Sequence, residues 1–163
     1  MQDNFNVPSA PLSTAEQALR DFGVAFERDA QGNTVVPGNL DLGSKGLGAL
    51  PDLSGVIVRG DFSCINNGLT SLAGAPQRVG GNYNCSYNNL TDLKGAPQAI
   101  GQSFYCYNCD LVTLEGGPKT VAGLFDCHEN PLKTLEHAPY IFTRLESDLG
   151  TFHPHPPKYG FQP

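Results

Sequence analysis

Two short motifs contain residue types that could do chemistry at their spacing. Cys106 and Cys109 form a CxxC pair, the spacing of redox motifs and of half a zinc site. Cys127 is followed directly by His128, a nucleophile beside a base. The sequence offers no second CxxC to complete a zinc site. Adjacent residues of a strand point to opposite faces, which separates Cys127 from His128. We therefore predict neither a metal site nor a Cys-His pair.

Three histidines and one acid-base group complete the chemical candidates. His128 could share a metal with His153 and His155, but no pattern fixes the distances between them. Tyr107, Asp126 and His128 have the residue types of a general acid-base group. The sequence implies no nucleophile or oxyanion donor around them. We therefore expect no enzyme activity and no cofactor.

The cysteines belong to a repeat of 21 residues that must position all of these side chains. An earlier copy begins near Gly38, where Leu40 matches Phe62 and Leu42 matches Cys64 at an offset of 22. With this copy the array holds about five units. The repeat appears in these columns: Phe62, Tyr83, Phe104 and Phe125; Cys64, Cys85, Cys106 and Cys127; Leu69, Leu90, Leu111 and Leu132; Leu72, Leu93, Leu114 and Leu135; Pro76, Pro97, Pro118 and Pro139.

Each unit reads aromatic-x-Cys-x-x-Asn-x-Leu-x-x-Leu, which resembles the leucine-rich repeat. Phe62 and Cys64 take the positions of two strand leucines, and Asn67 takes that of the consensus asparagine. The length of 21 residues, with Gly-Ala-Pro after the last leucine, is most similar to the short repeats of bacterial and phage proteins. At the first consensus leucine the units carry Arg59, Gly80, Gly101 and Ala122. This departure favours a compact return of the chain rather than a convex helix.

The repeated cysteines and asparagines are interpreted as architecture. Cys64 and its equivalents would point into the solenoid, where a free cysteine behaves as a small buried hydrophobe. The odd number of five cysteines favours reduced thiols over a disulfide framework. We expect Asn67, Asn88 and Asn130 to bond the backbone of neighbouring coils, with Cys109 substituting in the same column.

The predicted fold is a repeat solenoid similar to leucine-rich repeats, with parallel β strands in about five coils. Residues 1–37 are expected to form an N-terminal cap. In that cap Ser13 and Glu16 have capping-box spacing at the start of a helix, and a hairpin follows around Gln31-Gly32-Asn33. Residues 38–143 form the array. Residues 144–163 are expected to close it with an ordered segment and a proline-rich tail.

The outward strand positions form the candidate binding surface. Tyr105 and Tyr107 stand at solvent-facing positions, beside Asp126 and His128 of the next coil. Tyrosine brings large, stiff area and a hydroxyl, a composition favoured at binding interfaces. Cross-strand packing of the same side chains is the alternative role. The predicted partner-binding residues are Ile65, Asn84, Tyr87, Tyr105, Tyr107, Asp126 and His128.

The charge and hydropathy of the chain exclude several partners. The net charge of −6 opposes binding to nucleic acid or to an anionic membrane. The sequence shows no signal peptide and no apolar run near the roughly 20 residues that a membrane span needs. A cytoplasmic location is therefore expected, in the host if the chain is phage-encoded.

These features together predict a non-enzymatic protein-binding module that acts through the concave strand face of the solenoid. The resemblance to short repeats implies a phage or bacterial inhibitor that occludes a host protein. Two other interpretations stay open at this point. The array is a structural protein that assembles with itself, or it binds a carbohydrate or small ligand on Tyr105 and Tyr107.

Overall fold

A computed structural model describes residues 11–153, which form a parallel β-solenoid of about five turns with a single short helix. The predicted solenoid fold is therefore confirmed. In chain order the elements are α1 (Thr14–Asp21), β1 (Glu27–Arg28), β2 (Thr34–Val36), β3 (Leu40–Asp41), β4 (Val56–Val58), β5 (Phe62–Ser63), β6 (Arg78–Val79), β7 (Tyr83–Asn84), β8 (Ala99–Ile100), β9 (Phe104–Tyr105), β10 (Thr120–Val121), β11 (Leu124–Asp126), β12 (Arg144–Ser147) and β13 (Gly150–Phe152).

The strands form two sheets, because each coil contributes one short strand to each of them. Sheet A has the order β1-β2-β4-β6-β8-β10, and sheet B has the order β3-β5-β7-β9-β11-β12-β13. Pairing is parallel except in the hairpins β1–β2 and β12–β13 at the two ends. In sheet B, Phe62 pairs with Tyr83 and Tyr83 with Phe104, one repeat apart. The pairing of Leu40 with Phe62 confirms the offset of 22 residues for the first copy.

The core consists of stacked columns of equivalent side chains. The rings of Phe62, Tyr83, Phe104 and Phe125 stack with centroid distances of 5.0, 5.0 and 5.5 Å. The four cysteines of the repeat are buried beside them as free thiols. The first three leucines of each leucine column are also fully buried. Burying a large apolar side chain stabilises the fold by about 1.5–3 kcal/mol, so these columns supply most of the driving force for coiling.

A ladder of asparagines joins successive coils, as predicted from the sequence. Asn88 Oδ1 accepts the backbone N–H groups of Asn67 and Leu69 from the preceding coil, both at 3.0 Å. Its Nδ2 donates to the carbonyls of Cys64 at 3.1 Å and Cys85 at 2.8 Å. One buried carboxamide therefore satisfies four backbone groups that no strand ladder reaches. At the last coil Asp148 takes over, accepting the Asn130 N–H at 3.0 Å.

Sheet A was not predicted from the sequence. Its buried column is Val58, Val79, Ile100 and Val121. The chain turns directly from this sheet into sheet B, and a Cβ atom on Gly80 or Gly101 would collide with the backbone carbonyl of the preceding coil. This corner explains why glycines stand where the leucine-rich repeat consensus has a leucine.

The N-terminal cap contains the predicted helix and hairpin. Ser13 and Glu16 form the capping box, with the Glu16 N–H donating to Ser13 Oγ at 3.2 Å. The Glu16 side chain is fully buried and receives two hydrogen bonds of 2.7 Å from Arg28 of β1. Leu19 on the same helix enters the core of the first coil. The ion pair therefore fastens the helix to the hairpin that begins sheet A.

The C-terminal end is closed by the hairpin β12–β13. β12 pairs in parallel with β11, and β13 folds back on it antiparallel. The prediction of an ordered closing segment is confirmed by this hairpin. The proline-rich tail, together with His155, lies outside the described residues. Between residues 11 and 153, no helix is long and apolar enough to cross a membrane.

Candidate functional site

An exposed row of aromatic rings lies on the outer side of sheet B. It consists of Tyr87, Tyr107 and His128, one from each of three successive coils, and we call it the aromatic row. The Tyr107 ring is stacked on the His128 imidazole, with centroids 4.9 Å apart and planes inclined by 8°. The Tyr87 ring meets Tyr107 edge-on at 5.2 Å and 82°. Tyr87 is 48% exposed, so one end of the row is open to a partner.

The regular stacking of coils places two members of the row above each other. Tyr107 and His128 each stand two residues after the last paired residue shared by β9 and β11, Tyr105 and Asp126. The outward direction follows from the alternation of side chains along an extended chain. The parallel register then brings equivalent positions of neighbouring coils into contact.

Tyr87 stands one residue further on, in a turn with left-handed backbone. The equivalent residues of all coils share this conformation; they are Ser44, Asn66, Tyr87, Asn108 and Glu129, with φ between 50° and 56°. Asparagine tolerates positive φ, but a bulky aromatic residue rarely adopts it. The Tyr87 backbone is therefore strained, at a cost of about 1–3 kcal/mol. The position serves something other than turn formation.

Asp126 holds His128 in place from below. Its carboxylate accepts the His128 backbone N–H at 3.3 Å and forms a short hydrogen bond with His128 Nδ1. The sequence interpretation placed Asp126 in solvent, and this is wrong: the residue is only 5% exposed. It points outward from the sheet, but neighbouring side chains cover it. Asp126 therefore positions the imidazole rather than offering a contact surface.

The protonation of His128 follows from this environment. Burial lowers the pKa of the imidazole, but the hydrogen bond and charge of Asp126, assisted by Glu129 and Asp148, outweigh burial and leave the pKa above its ordinary value. Burial also raises the pKa of the Tyr107 hydroxyl, with further contributions from Tyr87 and Asp126. The row consequently carries a neutral phenol beside an imidazole that holds its proton more firmly than usual.

The other predicted contact residues lie at the margin of the row. Tyr105 pairs with Asn84 on one side and Asp126 on the other, and both Tyr105 and Asn84 are half-buried. The side chain of Asn84 accepts the N–H of Ser86, which stabilises the local turn. Ile65 packs against the preceding coil, where a Cβ atom on Gly43 would lie 2.7 Å from its Cγ2. The structure thus brings Tyr87, Tyr105, Tyr107 and His128 together and leaves Ile65 apart.

The cysteines of the two chemical motifs face the interior. Cys106 Sγ donates to the Asp126 carbonyl at 3.4 Å, and Cys109 Sγ lies 3.5 Å from the Cys85 carbonyl, in the asparagine column. Cys127 is fully buried and burial raises its pKa to about 12, whereas His128 points to the outer face. The predicted separation of Cys127 from His128 is confirmed. Among residues 11–153, no three His, Cys, Asp or Glu side chains converge as metal ligands.

Sequence reasoning missed a polar groove beside Tyr87. The groove has a volume of about 300 Å³ and runs along the turns that follow sheet B. Its lining residues are Asn66, Tyr87, Asn88, Asn89, Asn108, Cys109 and Asp110. The available signal was the cluster of asparagines and glycine after each cysteine, which marks turns with positive φ. Because the same turns present Tyr87, the groove and the aromatic row form one continuous surface.

Carboxylates surround the end of the row near His128. Glu129 and Asp148 are exposed, and the N–H of Asn130 helps to hold the pKa of Asp148 below its usual value. Arg144, the cation on the neighbouring strand, is paired with Glu146 at 3.1 Å. The local surface is therefore acidic, in keeping with the net charge of −6.

Comparison of the chain with protein-family models, curated proteins and solved structures gives no significant match. The fold and the outer face of sheet B define a β-solenoid with an exposed aromatic surface. A function must therefore be argued from the geometry of that surface.

Proposed function

We propose that this protein is a non-enzymatic protein-binding module that recognises its partner through the outer face of sheet B. The observation that carries the proposal is the presence of two separate aromatic columns. The buried column of Phe62 and its equivalents fills the core. The aromatic row of Tyr87, Tyr107 and His128 lies outside the core, where packing places no demand for large rings.

The strain at Tyr87 supports a role in recognition. An asparagine occupies the same turn position in the coils on either side, at Asn66 and Asn108. A tyrosine there costs backbone energy that an asparagine would avoid. Residues held in strained conformations concentrate at functional sites. The exposed ring of Tyr87 is therefore assigned to partner contact.

The residues of the face take different roles in this proposal. Tyr87, Tyr105, Tyr107 and His128 make the contacts, since aromatic side chains dominate the energetic centres of interfaces. Asp126 fixes the orientation of His128. Asn84 and Ile65 lie at the border of the surface, where contacts contribute complementarity rather than large energies.

A finer assignment rests on the resemblance of the repeat to short leucine-rich repeats of bacterial and phage proteins. We infer an inhibitor that occludes a host protein in the cytoplasm. A rigid solenoid with one continuous binding face suits this mode of action, because little conformational entropy is lost when a preformed surface binds.

The proposal is tested by affinity capture from bacterial lysate. The native protein serves as bait, and Tyr105→Ala/Tyr107→Ala is the variant bait. Tyr140→Ala is the matched control, since Tyr140 is 70% exposed and lies outside the aromatic row. We expect one stoichiometric protein on the native and Tyr140→Ala baits and none on the double variant. Equal capture by all three baits, or no capture with the native protein eluting as a large oligomer, contradicts the proposal.

The groove beside Tyr87 favours one alternative function. An aromatic ring bordered by carboxamides and the carboxylate of Asp110 has the composition of a carbohydrate site, with a stacking platform and directional hydrogen bonds. Titration with soluble oligosaccharides, followed by the fluorescence of the tyrosines, distinguishes this function. Saturable binding that is lost in Tyr87→Asn would favour it over protein recognition.

A further inference from the structure

The acidic margin of the aromatic row indicates the chemistry of the partner. Three features meet at this surface: an exposed tyrosine ring, an imidazole already held by a carboxylate, and further carboxylates nearby. Tyr87 is 48% exposed and Glu129 is exposed in the same turn column two coils further on. A positive group that approached the row would meet both a π face and negative charge.

The carboxylates near the row are held in defined positions. Glu129 Oε2 accepts a hydrogen bond of 2.7 Å from Asn108 Nδ2, which places the carboxylate over the coil between Tyr87 and its own. Asp148 is fixed by the Asn130 N–H at 3.0 Å. Asp110 carries an exposed carboxylate in the groove, and Asn89 Nδ2 lies 3.5 Å from it. Their charges therefore converge on the row rather than sampling the solvent freely.

The cations around this surface are already paired. His128 is held by Asp126 and Arg144 by Glu146. The carboxylates of Glu129, Asp148 and Asp110 thus remain available for a partner's positive charge, and electrostatic complementarity selects partners of opposite sign.

We propose that the aromatic row and its acidic margin bind an arginine-containing segment of the partner protein. Arginine fits better than lysine, because its planar guanidinium stacks on aromatic rings and donates paired hydrogen bonds to carboxylates. The rings of Tyr87 and Tyr107 supply the stacking surface. Glu129 and Asp148 supply the acceptors. This inference rests on the proposed protein-binding function and specifies its partner.

The test uses labelled hexa-arginine as the probe, with hexa-citrulline as an uncharged isostere and hexa-lysine as a charge control. Dissociation constants are measured by fluorescence anisotropy at low and physiological salt. We expect hexa-arginine to bind at least about fivefold more tightly than either control peptide, corresponding to one cation–π and carboxylate contact. Equal binding of hexa-arginine and hexa-citrulline, or no binding of hexa-arginine, overturns the inference.

Matched variants separate a local site from the general field of an acidic protein. Glu129→Gln and Glu136→Gln remove the same charge, but Glu136 lies away from the row, beside His137. Tyr87→Asn and Tyr140→Asn remove one exposed ring each. We expect Glu129→Gln and Tyr87→Asn to weaken hexa-arginine binding about fivefold and the two controls to leave it unchanged. Equal effects of a variant and its control overturn the inference, and thermal unfolding confirms that each variant is folded.

The failure of this inference is distinguishable from failure of the proposed function. If hexa-arginine does not bind, but Tyr105→Ala/Tyr107→Ala abolishes capture of a stoichiometric protein, the face recognises a partner without arginine. If the double variant retains the captured protein, the proposed function itself is wrong.

Discussion

The Tyr107 ring lies parallel to the His128 imidazole, with the two centroids 4.9 Å apart. Asp126, beneath them, bonds the imidazole and is only 5% exposed. The contact therefore has a buried carboxylate as its support and an exposed aromatic surface as its result. This arrangement makes the imidazole both rigid and electrostatically coupled to the sheet.

The coupling of His128 to Asp126 predicts a measurable titration. Asp126→Asn removes the main group that opposes the effect of burial, so the pKa of His128 should fall. The imidazole resonances can be followed by NMR between pH 5 and 9, with His137 as the internal control. An unchanged pKa of His128 in the variant would contradict the assigned hydrogen bond.

The same shift makes stability depend on pH in a defined direction. Because the pKa of His128 is higher in the folded protein than in the unfolded chain, protonation favours the folded state. This contribution is complete below about pH 6.5 and is lost as the pH rises through the folded pKa. In Asp126→Asn this loss of stability on raising the pH should disappear.

The strain at Tyr87 predicts that its replacement leaves the fold intact. In Tyr87→Asn, relief of the left-handed tyrosine gains about 1–3 kcal/mol, and loss of the edge-on contact with Tyr107 costs about 0.5–1.5 kcal/mol. The free energy of unfolding, measured with urea, should therefore stay within about 1 kcal/mol of the native value or rise. A decrease of more than about 2 kcal/mol would show that the ring stabilises the fold.

The asparagine ladder predicts opposite effects at two positions of one column. Asn130→Ala leaves the N–H groups of Cys109 and Leu111 and two buried carbonyls without partners. At about 1–3 kcal/mol for each unsatisfied group, the variant should lose at least about 3 kcal/mol. Cys109→Asn should instead gain about 1 kcal/mol by restoring the carboxamide. Urea unfolding checks both, and destabilisation by Cys109→Asn would show that the sulfur is required for packing.

The ion pair in the N-terminal cap predicts sensitivity to acid. The hydrogen bonds from Arg28 outweigh the effect of burial and lower the pKa of Glu16 from 4.5 to about 2. Stability from this pair is therefore complete above about pH 4.5 and is lost as the pH falls towards 2. The full contribution is roughly 3 kcal/mol, since one pKa unit corresponds to about 1.4 kcal/mol.

Arg28→Ala tests the contribution of the pair directly. The variant should be less stable than the native protein at pH 7, and the difference should shrink as the pH approaches 2. Circular dichroism during urea unfolding at several pH values gives both quantities. An equal loss of stability at pH 7 and pH 2 would place the effect of Arg28 in packing rather than charge.

Much of the fold could be predicted because its determinants recur in every coil. The columns of Phe62 and Cys64 fixed the strand register of sheet B, and Asn67 marked the ladder. Sheet A could not be recognised in the same way, because its strands β6, β8 and β10 have only two residues and one buried side chain each. A strand that short shows no alternation of polar and apolar residues.

The candidate site was predictable in its direction but not in its exposure. Alternation along the strand correctly placed Tyr107 and His128 outside the core. It could not show that Asp126 is covered, because burial on an outer face depends on the size of side chains in neighbouring coils. The left-handed backbone at Tyr87 was equally hidden, since tyrosine carries no local preference for it.

The central claim is that the outer face of sheet B recognises a protein, and the dissociation constant of the captured partner tests it most directly. Isothermal titration should compare the native protein, Tyr105→Ala/Tyr107→Ala and Tyr140→Ala. Removing an energetic centre costs about 2 kcal/mol or more, so the double variant should bind at least about 30-fold more weakly. Tyr140→Ala should bind as the native protein does. Equal affinity of all three proteins would contradict recognition through this face.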